Sequence, residues 1–372
     1  MLRPRVKPIF PPIPIGGGKI RIGWYDYGIA GELDDDEQGH TWHLLQLLSG
    51  EHTLPEIARL MQEFDPLVRD EEVGDAVDQL AAAGYLEDAA VGPDVSLFSP
   101  PEIERYRRNV EFFSHFHHPP LSGHDFQARL RKSRIAVVGL GGLGSYAALA
   151  LTAMGVGELL VVDCDTVEAV NLNRQVLYTD ADVGRAKTEA AVERLAQVNP
   201  HVSVTPLFLE IDGPKSAAEV FAGRDLVICA ADRPRVRIYE WFNAASVGAG
   251  VPWVRGGNTG LTVSLFLHAP GRTACFACVQ RTTHEELPWY EAASRYLAEN
   301  LATGTFNPCT APVAGLLGSI VALDTVKYLT GVAAPAALGR RLLIDLARMD
   351  VAYSEEEPRR PDCLVCGDAP RR

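Results

Sequence analysis

The run VVGLGGLGS spaces Gly139, Gly141 and Gly144 as G-x-G-x-x-G between a strand-like and a helix-like stretch. At that spacing the backbone can approach a phosphate, and the helix start offers partly positive N–H groups to it. Asp163 ends the next apolar run, about 20 residues on, where a carboxylate accepts bonds from ribose hydroxyls. These residues alone fit any adenine dinucleotide, NAD being the commonest. Asn171 and Arg174 (in NLNRQ) and Lys187 (in GRAKTEAA) point elsewhere. Hydride transfer needs one pyrophosphate neutralised and has little use for a fixed Arg and Lys. A triphosphate split at its α-phosphate needs such cations, usually with Mg²⁺, as pyrophosphate leaves. Asp232, closing VICAAD, is a candidate for that metal. All of these residues fall at strand ends, the edge where open α/β sheets hold ligands.

A second constellation is cysteine-based. CFAC (Cys275, Cys278) and CLVC (Cys363, Cys366) form two C-x-x-C knuckles that together make a tetrahedral Cys₄ zinc site. With no open position, such a zinc is structural and pins the C-terminal segment. Paired cysteines with no secretory signal indicate a reducing cytoplasm rather than disulfides. Cys164, Cys229 and Cys309 stand alone. Cys309 precedes a helix start that could lower its pKa, yet an inert packed cysteine fits equally. Four histidines (His115, His117, His118, His124) lack cysteine or carboxylate partners at ligand spacing and read as a solvated helix end and loop.

The elements that must position these residues form an α/β protein: a Rossmann-like doubly wound sheet with a small N-terminal winged-helix-like α+β domain. RIAVVGL, ELLVVDCD and DLVICAAD are buried parallel strands, GSYAALALTAMG is the crossover helix, and GLTVSLFLHAP is an additional strand. APVAGLLGSIVAL (311–323) is too short to span a bilayer and reads as a buried helix. The expected order is a flexible arm at 1–18, the small domain at 19–90, and a linker with a helix at 91–133. A nucleotide-binding domain follows at 134–372. In the small domain, Ile20, Ile22 and Trp24 alternate as a strand before a hairpin near residues 26–28. Thr53 and Glu56 have capping-box spacing, and Val73, Val77, Leu80 and Gly84 recur at helical spacing.

Charge separates the two parts. The net charge is −13, and residues 19–90 hold 17 acidic and 4 basic side chains, a balance of −13, so the remainder is neutral. A winged helix commonly binds nucleic acid, but this surface repels phosphates, which argues against that partner. No membrane partner is expected either.

Residues from about 102 to 372 resemble the ThiF/MoeB family, bacterial relatives of ubiquitin-activating enzymes. ERYRRN, GLGGLGS, VDCDTVEAVNLNRQ, DVGRAK, AAD, the two C-x-x-C pairs and GLLGSIVALDTVKYLTG occur in the family's order. The resemblance implies ATP·Mg²⁺ as cofactor and attack of a C-terminal carboxylate on the α-phosphate, giving an acyl-adenylate and pyrophosphate. It implies nucleotide binding by Gly139, Gly141, Gly142, Gly144, Asp163, Asp165, Asn171, Arg174 and Lys187, with Asp232 as the Mg²⁺-associated acid. Arg108 matches the arginine that reaches the partner subunit's ATP, which implies a homodimer. In some relatives a cysteine traps the acyl group; Cys309 falls nearer the helix start than theirs. Residues 281–308 occupy the family's crossover-loop position, where Trp289, Tyr290 and Tyr296 are expected to pack a helix.

Residues 19–90 resemble PqqD-type peptide-recognition modules, which take an extended leader peptide as an added strand. An acidic module suits a leader of basic character. Together the two resemblances imply a peptide-modifying adenylyltransferase of the microcin C type. Two alternatives are activation of a ubiquitin-like sulfur carrier and a non-catalytic leader-binding partner; the second predicts decayed ATP motifs.

Overall fold

Residues 1–18, expected as a loose arm, are built into the first of two units. The chain divides into Met1–Ala128 and Arg129–Arg372 in the computed structural model, which describes residues 1–24, 30–91, 94–116, 121–300 and 308–367. Strand β1 (Pro4–Val6) is followed by β2 (Pro12–Gly16), β3 (Lys19–Ile22) and β4 (Gly31–Asp34). Helices α1 (His40–Leu47), α2 (Leu54–Phe64) and α3 (Asp70–Ala82) lead into β5 (Leu86–Asp88). The arm is held because β1 pairs antiparallel with β5, β2 pairs with β3, and Phe10 is buried among Ile20, Ile22 and Leu86. Prolines at β2 cost little there, since it lies at the sheet edge in the order β2-β3-β4.

The helices begin and end where their residues dictate. The Thr53 amide and hydroxyl both donate to Glu56, closing the α2 capping box (2.7 and 2.9 Å). Val73, Val77 and Leu80 form the buried face of α3, and Gly84 follows it with φ +82°. Trp24 departs from the expected alternation: β3 ends at Ile22 and Trp24 is 69% exposed. The expected hairpin near 26–28 lies outside the described residues. So do His117 and His118.

The stretch from 91 to 128, expected as a linker with a helix, belongs to the first unit. It carries α4 (Pro100–Ser114), and the division after Ala128 falls within α5 (Gly123–Lys132), five residues before the expected boundary at 134. His115 packs edge-on to Phe10, and burial lowers the pKa of His124, so neither is a solvated loop histidine.

The second unit alternates strand and helix. Its elements are β6 (Arg134–Val138), α6 (Gly142–Met154), β7 (Glu158–Asp163), α7 (Lys187–Val198), β8 (Ser203–Phe208), α8 (Pro214–Phe221) and β9 (Leu226–Cys229). Then come α9 (Arg237–Ala249), β10 (Trp253–Thr259), β11 (Thr262–His268), α10 (Phe276–Glu286) and α11 (Trp289–Asn300). The unit closes with α12 (Ala311–Thr330), β12 (Leu342–Asp345) and β13 (Asp350–Tyr353). One sheet runs β13-β12-β11-β10-β9-β6-β7-β8. Its β10-β9-β6-β7-β8 half is parallel, while β10 to β13 pair antiparallel. Strands β6, β7 and β9 read as unbroken apolar runs because helices cover both their faces.

Helices α6 and α12 cover one face, where a Cβ on Gly256 would meet Leu143 and Leu317. Tyr239 and Phe242 of α9 and Phe276 of α10 surround Trp253 on the other. Helix α12 is longer than the 13-residue run that marked it. At 20 residues it is long and apolar enough to cross a membrane, but Val313, Leu317, Val321 and Val326 are buried inside the unit.

Candidate active site

The order in which strands are added to the sheet reverses between β6 and β9. From β6 the chain moves outward through β7 and β8, and it returns to β9 on the other side. In open α/β sheets such a switch point, at the carboxyl ends of the strands, is where ligands bind, and the glycine turn after β6 lies there. Gly139 has φ +89°, and a Cβ there would lie 2.6 Å from the Ala231 nitrogen, which ties the turn to the segment bearing Asp232. A Cβ on Gly144 would overlap the Gly139 carbonyl oxygen, so this glycine lets α6 start directly against the turn. A Cβ on Gly141 would meet only Gln175 Nε2 at 3.8 Å, so the space above the helix start is open. Gly142 packs beside the aliphatic part of Arg174.

Acidic and basic groups gather around this turn. The Leu140 amide donates to Asp163 Oδ2 (2.6 Å), and the Asp165 amide donates to Asp163 Oδ1 (2.8 Å). Asp163 therefore ties the glycine turn to the segment that follows β7. Lys187 is the first residue of α7 and is buried, with Nζ 2.6 Å from Asp165 Oδ2 and 3.9 Å from Asp163 Oδ1. Asn171 closes a short turn (Ala169–Asn171) by accepting from the Glu168 amide at 3.1 Å. Arg174 donates to the Val170 carbonyl (3.1 Å) and to Asn173 Oδ1 (2.8 Å). Asp232 is exposed just beyond β9.

Two residues beside the turn were not singled out from sequence. Gln175 is buried and its Oε1 has no partner among the described residues, although it stands next to Arg174 in NLNRQ. Tyr178 donates to the Leu140 carbonyl (3.1 Å), and burial raises its pKa, with Asp163 adding to the shift. Nothing in sequence spacing marks Tyr178. Arg108 belongs to the first unit, where it pairs with Glu111 on the exposed face of α4.

The four knuckle cysteines converge. Sγ–Sγ distances are 3.9 Å (Cys275–Cys278), 3.7 Å (Cys275–Cys363) and 3.6 Å (Cys278–Cys366). Thiolates about 2.3 Å from a tetrahedral zinc lie about 3.8 Å apart, so the geometry is compatible with that ion. Burial pushes the Cys278 thiol up to about 11. Burial also acts on Cys363, but the amides of Cys366 and Val365 outweigh it and bring that thiol to about 7.

Cys309 does not gain from its helix start. Burial raises its pKa, Arg174 opposes this only in part, and Sγ points to the Thr310 carbonyl at 3.6 Å. A raised pKa leaves little thiolate. Cys309→Ala is expected to keep pyrophosphate exchange within about twofold of the parent, checked with isotopic pyrophosphate. Of the α11 aromatic residues expected to pack a helix, Tyr290 is half-buried and contacts the rings of His284 and Trp289, while Trp289 is 63% and Tyr296 62% exposed. Residues 301–307 of that segment lie outside the described residues.

A model of the ThiF family matches residues 114–365. The chain belongs to the ThiF family. It is 35% identical over 269 residues to the molybdopterin-synthase adenylyltransferase of Escherichia coli (strain K12), covering 72% of this chain and 97% of the relative. It is 37% identical over 277 residues to the SAMP-activating enzyme E1 of Haloferax volcanii, covering 72% and 90%. In structure it is similar to E. coli MccB, with a TM-score of 0.79 at 19% identity over 99% of this chain and 98% of that one. MccB is also known in complex with N-formylated MccA, a structure matching with a TM-score of 0.77 at 20% identity over 98% and 100% of the two chains. The chain is thus an ATP-dependent adenylyltransferase of the ThiF/MoeB type, with the Rossmann-like α/β fold of that family.

Proposed function

We propose that this enzyme adenylates the C-terminal carboxyl group of a ribosomally made precursor peptide. The carboxylate oxygen attacks the α-phosphorus of ATP; an acyl–O–P bond forms, the bond to the β-phosphate bridging oxygen breaks, and pyrophosphate leaves with the electron pair. Asp163 faces the nucleoside side, and the α6 start, Asn171, Arg174 and Lys187 take the phosphates. Mg²⁺ bound to the phosphates would neutralise charge there. Asp232, an exposed carboxylate beside the turn, is the residue to hold it. Zinc in the Cys₄ cluster serves structure, and the reduced thiols suit a cytoplasmic enzyme.

One observation carries the peptide reading. The likeness to MccB extends over the N-terminal unit, most of which lies outside the family match at 114–365. That unit presents two sheet edges, β2 and β4, on which an extended leader can add as a strand. A second reading, activation of a sulfur-carrier protein, draws on relatives such as the ThiS adenylyltransferase of E. coli (strain K12), 32% identical over 244 residues. Pyrophosphate exchange separates them. A peptide encoded beside the gene should support exchange and a ubiquitin-like carrier should not; the opposite pattern selects the second reading.

Arg108 is proposed to reach the ATP of a partner subunit in a homodimer. Arg108→Ala should then cut exchange by about tenfold or more while leaving the dimer intact. Mixing it with Lys187→Met in equal amounts should restore about a quarter of parent activity, because half the dimers are mixed and each has one whole site. No recovery on mixing would place Arg108 in its own subunit's site or outside any site.

A further inference from the structure

Beyond the nucleotide crevice, the second unit holds a cavity of about 350 Å³ beside β10 and β11. This is at the small end of ligand pockets, roughly 300–1,000 Å³. Arg255 lines it, in register with Cys229, the last residue of β9. Its guanidinium lies 4.9 Å from the Phe276 ring centre and 5.4 Å from that of Tyr239. Its Nε is fully enclosed and has no hydrogen-bond partner among the described residues. Arg341 lines the same cavity, and none of the lining residues is Asp or Glu. Burial works against the charge on Arg255, and Arg341 adds like-charge repulsion.

Two guanidinium groups lining one cavity that has no carboxylate among its lining residues form a costly arrangement. Cation–π contacts offset part of that cost, and a charged ligand offsets the rest. The remaining lining limits the ligand further. Val236, Val279 and Leu343 offer apolar surface for a short aliphatic stem, and Thr259 and Ser264 offer hydroxyls. A carboxylate on a methylene stem matches this set, with two oxygens for a guanidinium fork.

We infer that this cavity receives an acidic side chain, Asp or Glu, of the peptide whose terminus is activated. The inference rests on the peptide reading above. A terminus brought to the crevice at β6 and β9 would lay its preceding residues beside β10, where Arg255 and Arg341 select for a negative side chain.

Thermal-shift titration of the full chain tests the pocket without any turnover. Glutarate should raise the melting temperature saturably, and glutaramide should leave it unchanged. Inorganic phosphate should act roughly tenfold more weakly than glutarate. Arg341→Gln, half-buried and outside any ion pair among the described residues, should shift the glutarate midpoint by about tenfold. Arg255→Gln should do the same where it folds. Equal responses to glutarate and glutaramide, equal responses to phosphate, or an unchanged midpoint in Arg341→Gln would each overturn the proposal. The two readings fail separately. Glutarate binding with no peptide-dependent exchange removes peptide activation and leaves the pocket, whereas exchange with no glutarate response removes the pocket alone.

Discussion

Lys187→Met should lower pyrophosphate exchange by about 10²–10³-fold, the usual effect of removing one charged or hydrogen-bonding group from developing transition-state charge. The reason lies in the local charge. Lys187 stands at the start of α7 against Asp165 and Asp163, and Asp163 in turn holds the Leu140 amide of the glycine turn. With Lys187 present the three groups sum to one negative charge; without it they sum to two, facing incoming phosphates. Both ATP binding and the chemical step should therefore weaken. Lys187→Arg should recover part of the rate by restoring the charge. Melting temperature should change little by comparison, because Asp165 is largely exposed and water can solvate it. A variant that lost activity and stability together would assign Lys187 to folding instead.

The second large effect concerns stability. Cys363→Ser should strip the metal and loosen the C-terminal segment. A structural zinc contributes roughly 10–16 kcal/mol in small domains, and even a third of that corresponds to several kcal/mol. At about 2–4 °C per kcal/mol, the melting temperature should fall by roughly 10 °C. Metal analysis should show about one zinc per parent chain and much less in the variant. Cys363 and Cys366 meet Cys275 and Cys278 across 88 positions of sequence, which explains why a single thiol matters so far from its own segment. A stable, metal-free Cys363→Ser protein with unchanged melting would overturn the structural role of zinc.

Sequence made the catalytic half legible because its signals are local. Parallel strands buried on both faces show as apolar runs, and a turn that must approach phosphate leaves its glycines at fixed spacing. The knuckle cysteines carry their metal geometry in the C-x-x-C interval. Less legible were features fixed by pairing across the chain. Strands β1 and β2 look like a proline-rich tail until β5 and β3 satisfy their backbones. Strand β8, mostly exposed at the sheet edge, gives no apolar run. Gln175 and Tyr178 reach the turn by folding alone. The raised pKa of Cys309 could not be read either, because burial outweighs the helix start and burial is a tertiary property.

The peptide-activation claim turns on which group attacks ATP. The most direct measurement is isotopic pyrophosphate exchange with one precursor peptide in two forms, a free C-terminal acid and a C-terminal amide. Exchange with the acid and none with the amide is the expected result. Equal exchange with both forms, or exchange that needs no peptide, would contradict activation of the terminal carboxylate.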